Sequence, residues 1–348
     1  MDKELLTQLL KSSSVSGYED EAIGVFIAKA KECRADTHID VLNNAFAQFG
    51  VKSAPITVMI DAHIDEIGFQ VNYIDDDGLI YVRKVGLIDD SCLPGSVVEV
   101  LTNNGGKIKG VIGKKPIHLS SFDEIKSVPS INNLWVDTGL DSDIIKQQVS
   151  IGAPVCFSAN PNYLGNNKIS SKGVDNKIGV YVLAESMKIV AGNCENLNVV
   201  FVASAQEEIG LRGAQFCAGQ VKPDYAITVD VEFATDVPDC PKTLYGDIQL
   251  GKGVVLSKNL DSNRAFTKIA EDLAISNGIP HQISAHYIAT GDTNSSAIQL
   301  LGYGTKTLTL GIPCRYMHTP VEMVDIRDVK SAIDLIEQII KFIAQRQK

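Results

Sequence analysis

Val-Val-Phe-Val-Ala-Ser-Ala-Gln-Glu-Glu, residues 199 to 208, is the stretch that decides the fold class of this sequence. Its first five residues form a continuous apolar run, which is typical of a strand covered on both faces in a parallel sheet. The adjacent carboxylates Glu207 and Glu208 follow soon after. Open parallel sheets bind their ligands beyond the carboxyl ends of their strands. The stretch therefore predicts an α/β fold with a polar site at one edge of the sheet.

Three more apolar runs lead into residues of the kind that bind metals. These are residues 56–60 before His63 and Asp65, residues 225–229 before Asp230, and residues 307–310 a little before His318. Chance would not readily place such side chains after every one of these runs. We therefore expect them to meet at one edge of a mixed, mostly parallel sheet.

Apolar residues spaced three and four apart predict helices that flank this sheet. The clearest of these helices cover residues 174–190, 263–276 and 325–345. Leucines at positions 5, 6, 9 and 10 predict another helix, and Ser16-Gly-Tyr-Glu19 resembles a cap for the next one.

Between about Glu66 and Asn162 the pattern changes to short apolar runs joined by turn residues. Asp75-Asp-Asp-Gly78 and Asn103-Asn-Gly-Gly106 each separate two such runs, which is typical of β-hairpins. The sequence thus predicts a small β-rich, barrel-like domain at 66–162. We expect it to be inserted into an α/β domain formed by residues 1–65 and 163–348.

Composition narrows the class of protein. With 348 residues, 45% of them hydrophobic, the chain is long enough for two domains. The net charge of -10 disfavours nucleic acid as a partner, because phosphates are repelled. The charged N-terminus does not resemble a signal peptide, and no apolar run is long enough to span a membrane. Seven scattered cysteines favour reduced thiols, so we expect a cytoplasmic protein.

The polar residues at the predicted sheet edge suit a metal site. Glu207 and Glu208 would repel each other at the end of a buried strand, and a cation would offset that cost. His63 and Asp65 lie two apart in an extended segment, so their side chains point the same way. Asp65 could then accept the second ring N–H of His63.

Each of these residues also has an ordinary structural explanation. The glutamate pair could begin a helix, Asp175 could cap one, Asp230 could lie in a turn, and His318 could lie on the surface. Together they supply two histidines and three carboxylates for metals, and one spare carboxylate. Such mixed ligands suit Zn, Co or Mn. Two ions can share a bridging carboxylate and a water while the spare carboxylate moves the proton, which predicts amide hydrolysis.

Motifs spread over nearly the whole chain resemble the tetrahedral (TET) aminopeptidases, also described as glutamyl or deblocking aminopeptidases and sometimes labelled cellulase M or endoglucanase. The most specific are Gln206-Glu-Glu-Ile-Gly-Leu-Arg-Gly-Ala214 and Ile312-Pro-Cys-Arg-Tyr-Met-His318. Supporting motifs are His63-Ile-Asp-Glu-Ile-Gly68, Lys115-Pro-Ile-His118 and Asp175-Asn-Lys-Ile-Gly179.

The resemblance implies an enzyme that removes N-terminal residues from short peptides. It distributes the site roles as follows: Asp175 bridges two divalent ions, His63 and Asp230 hold one ion, Glu208 and His318 hold the other, Glu207 is the base that activates a metal-bridging water, and Asp65 supports His63. It also implies a homo-oligomer, in which the β-rich inserts form dimers and the dimers assemble into a hollow tetrahedral dodecamer.

One short stretch and one single residue depart from the family pattern. Residues 289–293 read Ala-Thr-Gly-Asp-Thr where Gly-Gly-Thr-Asp-Ala is frequent, and Lys177 replaces a frequent arginine. The resemblance implies that the loop with the first departure shapes the substrate pocket, and it leaves the preferred N-terminal residue of the substrate open.

Three other functions fit part of the pattern. A metal-dependent deacylase or carboxypeptidase would use a similar His-x-Asp, bridging Asp and Glu-Glu set, but the G-L-R-G-A string and the early insert disfavour it. A glycosidase needs two carboxylates and leaves His63 and His318 without a role. A non-catalytic assembly protein would have no reason to keep every ligand and the base.

Overall fold

The computed structural model describes residues 1–159, 161–192, 194, 196–259, 262–285, 293–302 and 304–346. Its strands are β1 Asp36–Ile39, β2 Ala45–Gly50, β3 Thr57–His63, β4 Gly68–Ile74, β5 Ile80–Val85, β6 Val97–Leu101, β7 Lys107–Gly113, β8 Trp135–Asp137, β9 Pro154–Phe157, β10 Asn162–Leu164, β11 Lys168–Ser171, β12 Asn198–Ser204, β13 Tyr225–Phe233, β14 Val254–Ser257, β15 His281–Ser284, β16 Lys306–Arg315 and β17 Glu322–Asp325. Its helices are α1 Lys3–Lys11, α2 Asp20–Glu32, α3 Phe122–Lys126, α4 Ser142–Gln148, α5 Val174–Val190, α6 Arg212–Val221, α7 Lys242–Tyr245, α8 Arg264–Ser276, α9 Asn294–Ile298 and α10 Ile326–Gln345.

One mixed sheet forms the larger part of the molecule. Its strands follow the order β1-β2-β12-β3-β13-β16-β17-β11-β10, with β14 beside β16 and β15 beside β14. The central strands β12, β3, β13 and β16 run parallel to one another, whereas their neighbours β2 and β17 are antiparallel to them. The predicted mixed α/β sheet is confirmed.

Strand β12 shows why this sheet is buried on both faces. Val199, Phe201 and Ala203 belong to the core that α1, α2, α5, α8 and α10 cover. Val200 and Val202 point the other way, into a smaller core beneath α6 and α9. Successive side chains of a strand point to opposite faces, so a continuous apolar run is needed wherever helices cover both.

A closed barrel of six strands, in the order β4-β5-β8-β7-β6-β9, forms the second part of the fold. It has its own hydrophobic core, built around residues such as Phe69, Val98, Val136 and Val155. Both predicted hairpins are present, because β4 pairs with β5 and β6 pairs with β7 in antiparallel register. The barrel strands fall inside the predicted insert, whose boundaries at 66 and 162 stay a prediction.

Several strands are longer than their apolar runs. The sequence predicts a strand at 225–229 with Asp230 after it, but β13 continues to Phe233, and β16 continues to Arg315. The two strands stay paired over these extra residues, from Asp230 beside Gly311 to Phe233 beside Cys314. Backbone pairing does not require apolar side chains, so the ladder extends into the polar edge of the sheet.

The described helices include none that is both long and apolar enough to cross a membrane. All seven cysteines are unpaired.

Candidate metal centre

The register of the parallel strands brings the predicted site residues to one edge of the sheet. Ser204 of β12 pairs with His63 at the end of β3. Thr228 of β13 pairs with Asp61, so Asp230 and His63, each two residues further along, reach the same level. The segments that follow β12 and β16 carry the two glutamates and His318 to this edge.

Two groups of three potential ligands share Asp175. One group is His63, Asp175 and Asp230, and the other is Asp175, Glu208 and His318. In each group, one ligand atom per residue lies within 4.8 Å of the others. The structure thus brings together all five residues that were predicted to bind metals.

Asp175 is the centre of this arrangement. Its Oδ1 lies 3.1 Å from Nε2 of His63, and its Oδ2 lies 3.3 Å from Nε2 of His318. Nε2 of His63 also lies 3.5 Å from Oδ1 of Asp230, and Nε2 of His318 lies 3.6 Å from Oε1 of Glu208. Oδ1 of Asp175 is buried and, apart from its contact with the His63 ring, has no hydrogen-bond partner among the described residues, which fits an oxygen directed at a cation.

The alternative structural explanations do not describe these residues. Asp175 does not cap α5, because Gly173 occupies the cap position and the Asp175 carboxylate faces the two histidines. Asp230 lies within β13 rather than in a turn. Glu207 and Glu208 precede α6, which begins only at Arg212. His318 keeps 29% of its side chain exposed, and its ring still faces Asp175.

The charges of the cluster require compensation. Burial raises the pKa of Glu207 and Glu208 well above the usual carboxyl range, and neighbouring carboxylates add to the shift. Burial disfavours a charged His63 ring, yet Glu207 and Asp175 hold its pKa well above the usual value. Burial also opposes ionisation of Asp175, but the contacts with His318 and His63 lower its pKa. A divalent cation would favour the ionised carboxylates and the neutral imidazoles.

Glu207 belongs to neither group that shares Asp175. Its Oε2 lies 4.0 Å from Nε2 of His63, and it forms a third possible group with His63 and Glu208. Its carboxylate lines a cavity of about 500 Å³ above the candidate ligands. Leu87, from the barrel side of the chain, lines the same cavity.

Asp65 contacts more than the ring of His63. Nδ1 of His63 lies 3.1 Å from the backbone oxygen of Asp65 and 3.5 Å from its Oδ1. The two carboxylate oxygens accept the backbone N–H groups of Glu207 and Glu208, at 3.0 and 3.1 Å. Asp65 therefore holds the backbone of both glutamates, a role that the His-x-Asp spacing does not reveal.

The predicted cap at residues 16–19 is wrong. The hydroxyl of Ser16 donates to Oδ2 of Asp65 at 2.6 Å instead of capping α2. The N-cap position of α2 is Glu19, whose side chain makes no capping hydrogen bond. The buried Asp65 carboxylate competes for the serine hydroxyl, because both of its oxygens need donors.

Two residues near the ligands make hydrogen bonds that the sequence does not predict, and one of them, Thr293, ends the divergent stretch 289–293. Thr293 donates its hydroxyl to Oδ2 of Asp230 at 2.6 Å, and the carboxylate of Glu322 accepts backbone N–H groups of Asp175 and His318. The only sequence signal for Glu322 is a lone acidic residue that begins a short apolar strand. Asp292, in the divergent stretch 289–293, lies outside the described residues.

Comparisons with known proteins find relatives over most of the chain. A family model described as M42 glutamyl aminopeptidase matches residues 43–335. The lysyl aminopeptidase of Pyrococcus furiosus is 31% identical over 346 residues, which cover 98% of this chain and 97% of that protein.

Two solved structures have the same fold. An aminopeptidase from the archaeon Desulfurococcus kamchatkensis matches with a TM-score of 0.89 and 32% identity, over 97% of this chain and 93% of that one. The Pyrococcus horikoshii TET1 peptidase, which can assemble into a tetrahedron or a large octahedral shell, matches with a TM-score of 0.87 and 32% identity. That match covers 97% of this chain and 98% of the peptidase.

Proposed function

The chain belongs to the M42 glutamyl aminopeptidase family, and from this we propose that it is a two-metal enzyme that removes N-terminal residues from short peptides. The predicted resemblance to the TET aminopeptidases is confirmed, and the protein is a peptide hydrolase. The single observation that carries the two-metal proposal is the pair of ligand groups that share Asp175.

The side chains in these groups fit divalent ions. In the proposed site, His63 and Asp230 would hold one ion, Glu208 and His318 would hold the other, and Asp175 would contribute to both. Imidazole nitrogens with carboxylate oxygens suit Zn, Co or Mn, and within the described part of the chain the buried Oδ1 of Asp175 contacts only the His63 ring. Bound ions would act as Lewis acids on the scissile carbonyl and on the attacking water.

Glu207 is the proposed general base. Its carboxylate takes a proton from the attacking water as the C–O bond forms, and delivers it to the amine nitrogen as the C–N bond breaks. The backbone N–H of Glu207 donates to Asp65, and this hydrogen bond positions the backbone from which the Glu207 side chain extends. Asp65 acts here through the backbone of Glu207 and does not touch the substrate.

The charge of the cavity supports an aminopeptidase rather than a carboxypeptidase or an acyl-amino-acid hydrolase. The ions would offset the charges of the ligands Glu208 and Asp230, and Glu207 and Glu232 remain as acidic residues of the lining. Such a lining attracts the protonated amino group at the start of a peptide and repels the carboxylate at its end. The names of the relatives include both glutamyl and lysyl preferences, so they do not choose the first residue of the substrate.

A panel of aminoacyl-nitroanilides tests the proposal. The protein is treated with a chelator and then assayed with Zn, Co or Mn added back, beside matched N-acetylated amino acids. We expect chelation to abolish cleavage, added metal to restore it, and free-amino substrates alone to be cleaved. Turnover that survives complete chelation would refute the metal role, and preference for the acylated compounds would establish a deacylase.

The remaining parts of the proposal concern assembly and location. We infer a homo-oligomer of dimers, up to a dodecamer, in which the inserted domain at 66–162 joins copies of the α/β domain formed by 1–65 and 163–348. The similarity to an assembling TET peptidase supports this inference. Seven unpaired cysteines favour a reducing compartment such as the cytoplasm. Sedimentation of the purified chain would test the assembly.

A further inference from the structure

Glu322 is a buried carboxylate that contacts two of the candidate metal ligands through their backbone. Its Oε2 accepts the N–H of Asp175 at 3.0 Å, and its Oε1 accepts the N–H of His318 at 2.9 Å. The residue is only 1% exposed. Both carboxylate oxygens of Glu322 therefore accept a backbone N–H. This one side chain connects the segment of Asp175, which lies 147 residues away in the chain, with the segment of His318.

The sheet places Glu322 where it can reach both segments. It is the first residue of β17, which lies between β16 and β11. Strand β11 ends at Ser171, beside Glu322, and the chain then runs to Asp175. Strand β16 ends at Arg315, beside Met323, and the chain then runs to His318. The carboxylate therefore bridges the two loops that leave the neighbouring strands.

The backbone conformation of His318 explains why its contact with Glu322 matters. His318 has a φ of 60°, in the left-handed region that residues other than glycine seldom adopt. Such a conformation persists only where surrounding contacts hold it. The hydrogen bond from the His318 N–H to Glu322 is one of these contacts, and it also positions the backbone from which the imidazole side chain extends.

We propose that Glu322 is a positioning residue that sets the separation of Asp175 and His318 before any ion binds. The inference rests on the proposed two-metal function, because it concerns the group formed by Asp175, Glu208 and His318. A carboxylate is required, because an amide offers one acceptor oxygen and would turn an N–H₂ donor toward the second backbone N–H.

Glu322→Gln tests the inference, with Asp328→Asn as the matched control. Asp328 is also buried and also accepts two backbone N–H groups, from Gly251 and Gly253, each at 2.7 Å. It lies on α10, and neither of its two backbone partners is a candidate ligand. Each chelated protein is titrated with Co²⁺, the visible absorption of bound Co²⁺ is recorded, and thermal unfolding is measured without metal.

For Glu322→Gln we expect Co²⁺ affinity to fall by about 10- to 100-fold, as is usual for residues that orient a ligand. Its Co²⁺ spectrum should change, and Asp328→Asn should lose thermal stability while it keeps the wild-type affinity. Equal affinity in Glu322→Gln and the wild type would overturn the positioning role alone. A wild-type protein that binds no Co²⁺ would instead refute the proposed function.

Hydrogen exchange on the wild type provides a test that does not depend on how the variant folds. In the metal-free protein we expect the amides of Asp175 and His318 to be protected, because Glu322 holds both of them. Rapid exchange of either amide without metal, followed by protection when Co²⁺ is added, would show that the ion orders these segments and would overturn the inference.

Discussion

At the scale of single residues, Glu207 is the side chain on which turnover should depend. We expect Glu207→Gln to keep its metals and to lose about two to four orders of magnitude in kcat, the usual contribution of a general base. Glu208→Gln is the matched control, since it should lose metal as well as activity. Metal content of the purified variants and their rates on one nitroanilide decide between the two roles.

If Glu207→Gln also loses metal, Glu207 is a ligand, and the third group with His63 and Glu208 describes the site better. Two adjacent glutamates in a sequence do not show which of them binds a metal and which acts as the base. Both carboxylates are buried and both have a raised pKa. Their difference arises from the neighbours that folding supplies, with Glu208 near His318 and Glu207 near His63.

Some site residues could be predicted because they follow apolar runs, whereas others depend on contacts that form only in the folded chain. His63, Glu208, Asp230 and His318 follow apolar runs, so a rule about strand ends finds them. Glu322 has no comparable signal, because its importance comes from two backbone N–H groups that only the folded sheet brings within reach. A hydrogen bond from a side chain to a backbone N–H that lies far away in the chain, as that of Asp175 does, leaves no local motif in the sequence.

At the scale of elements, Gly213 at the start of α6 supports the turn that carries both glutamates. A Cβ at this position would lie 2.1 Å from the backbone oxygen of Ala205 and 2.3 Å from Oδ1 of Asn44. We expect Gly213→Ala to destabilise the protein by about 1–3 kcal/mol, as overpacking usually does, and to lower kcat. Urea unfolding and steady-state rates measure both effects.

Gly219 provides the control within the same helix. A Cβ there would meet no atom within 4 Å, so Gly219→Ala should raise the free energy of unfolding by about 0.5–1 kcal/mol. It should leave kcat unchanged. If Gly213→Ala were as stable as Gly219→Ala, the close approach to Ala205 would not be the reason for glycine at 213.

Asp328, on α10, should make stability depend on pH. Burial raises its pKa to about 7, above the value of an unfolded aspartate, and the neighbouring Asp325 adds to the shift while Arg327 opposes it. Between the two pKa values the native state holds a proton that the unfolded state has lost. Stability from this group is therefore present at acidic pH and declines as the pH rises toward 7.

Urea unfolding between pH 4.5 and 8 measures this effect. The wild type should lose stability with rising pH more steeply than Asp328→Asn, which has no titrating group at this position. Parallel curves for the two proteins would show that Asp328 does not titrate in this range.

The elements themselves were largely predictable. The helix predicted at 325–345 is present as Ile326–Gln345, because an apolar stripe at spacings of three and four requires little context. Strands β13 and β16 were predicted too short, since their last residues continue the backbone pairing beyond the apolar runs that predict them. Strand ends therefore depend on partners that local sequence does not reveal.

At the scale of the whole molecule, an apolar surface on the barrel domain should be covered by another copy of the chain. Its exposed residues are Ile117, Leu119, Phe122, Ile125 and Val128. Phe122 alone is 84% exposed. All five lie in one short segment, residues 117–128, and apolar residues exposed together usually mark an interaction surface.

We expect Phe122→Glu to shift the protein toward smaller assemblies, because a carboxylate in an apolar interface would be desolvated. Val41→Glu is the control, since Val41 is 86% exposed and lies outside this segment. Sedimentation velocity measures the distribution of assemblies. An unchanged distribution for Phe122→Glu would place the contact elsewhere.

The insertion of the barrel between β3 and β10 also bears on how the chain folds during synthesis. Strand β3 is made before the barrel, yet its partners β12 and β13 emerge only after the barrel is complete. The barrel strands are contiguous, so local pairing can form early, while β3 must wait for a distant closure. Pulsed hydrogen exchange during refolding should protect β4–β9 before β3. Competence to bind metal would then arise last, only after β16 and β17 have joined the sheet.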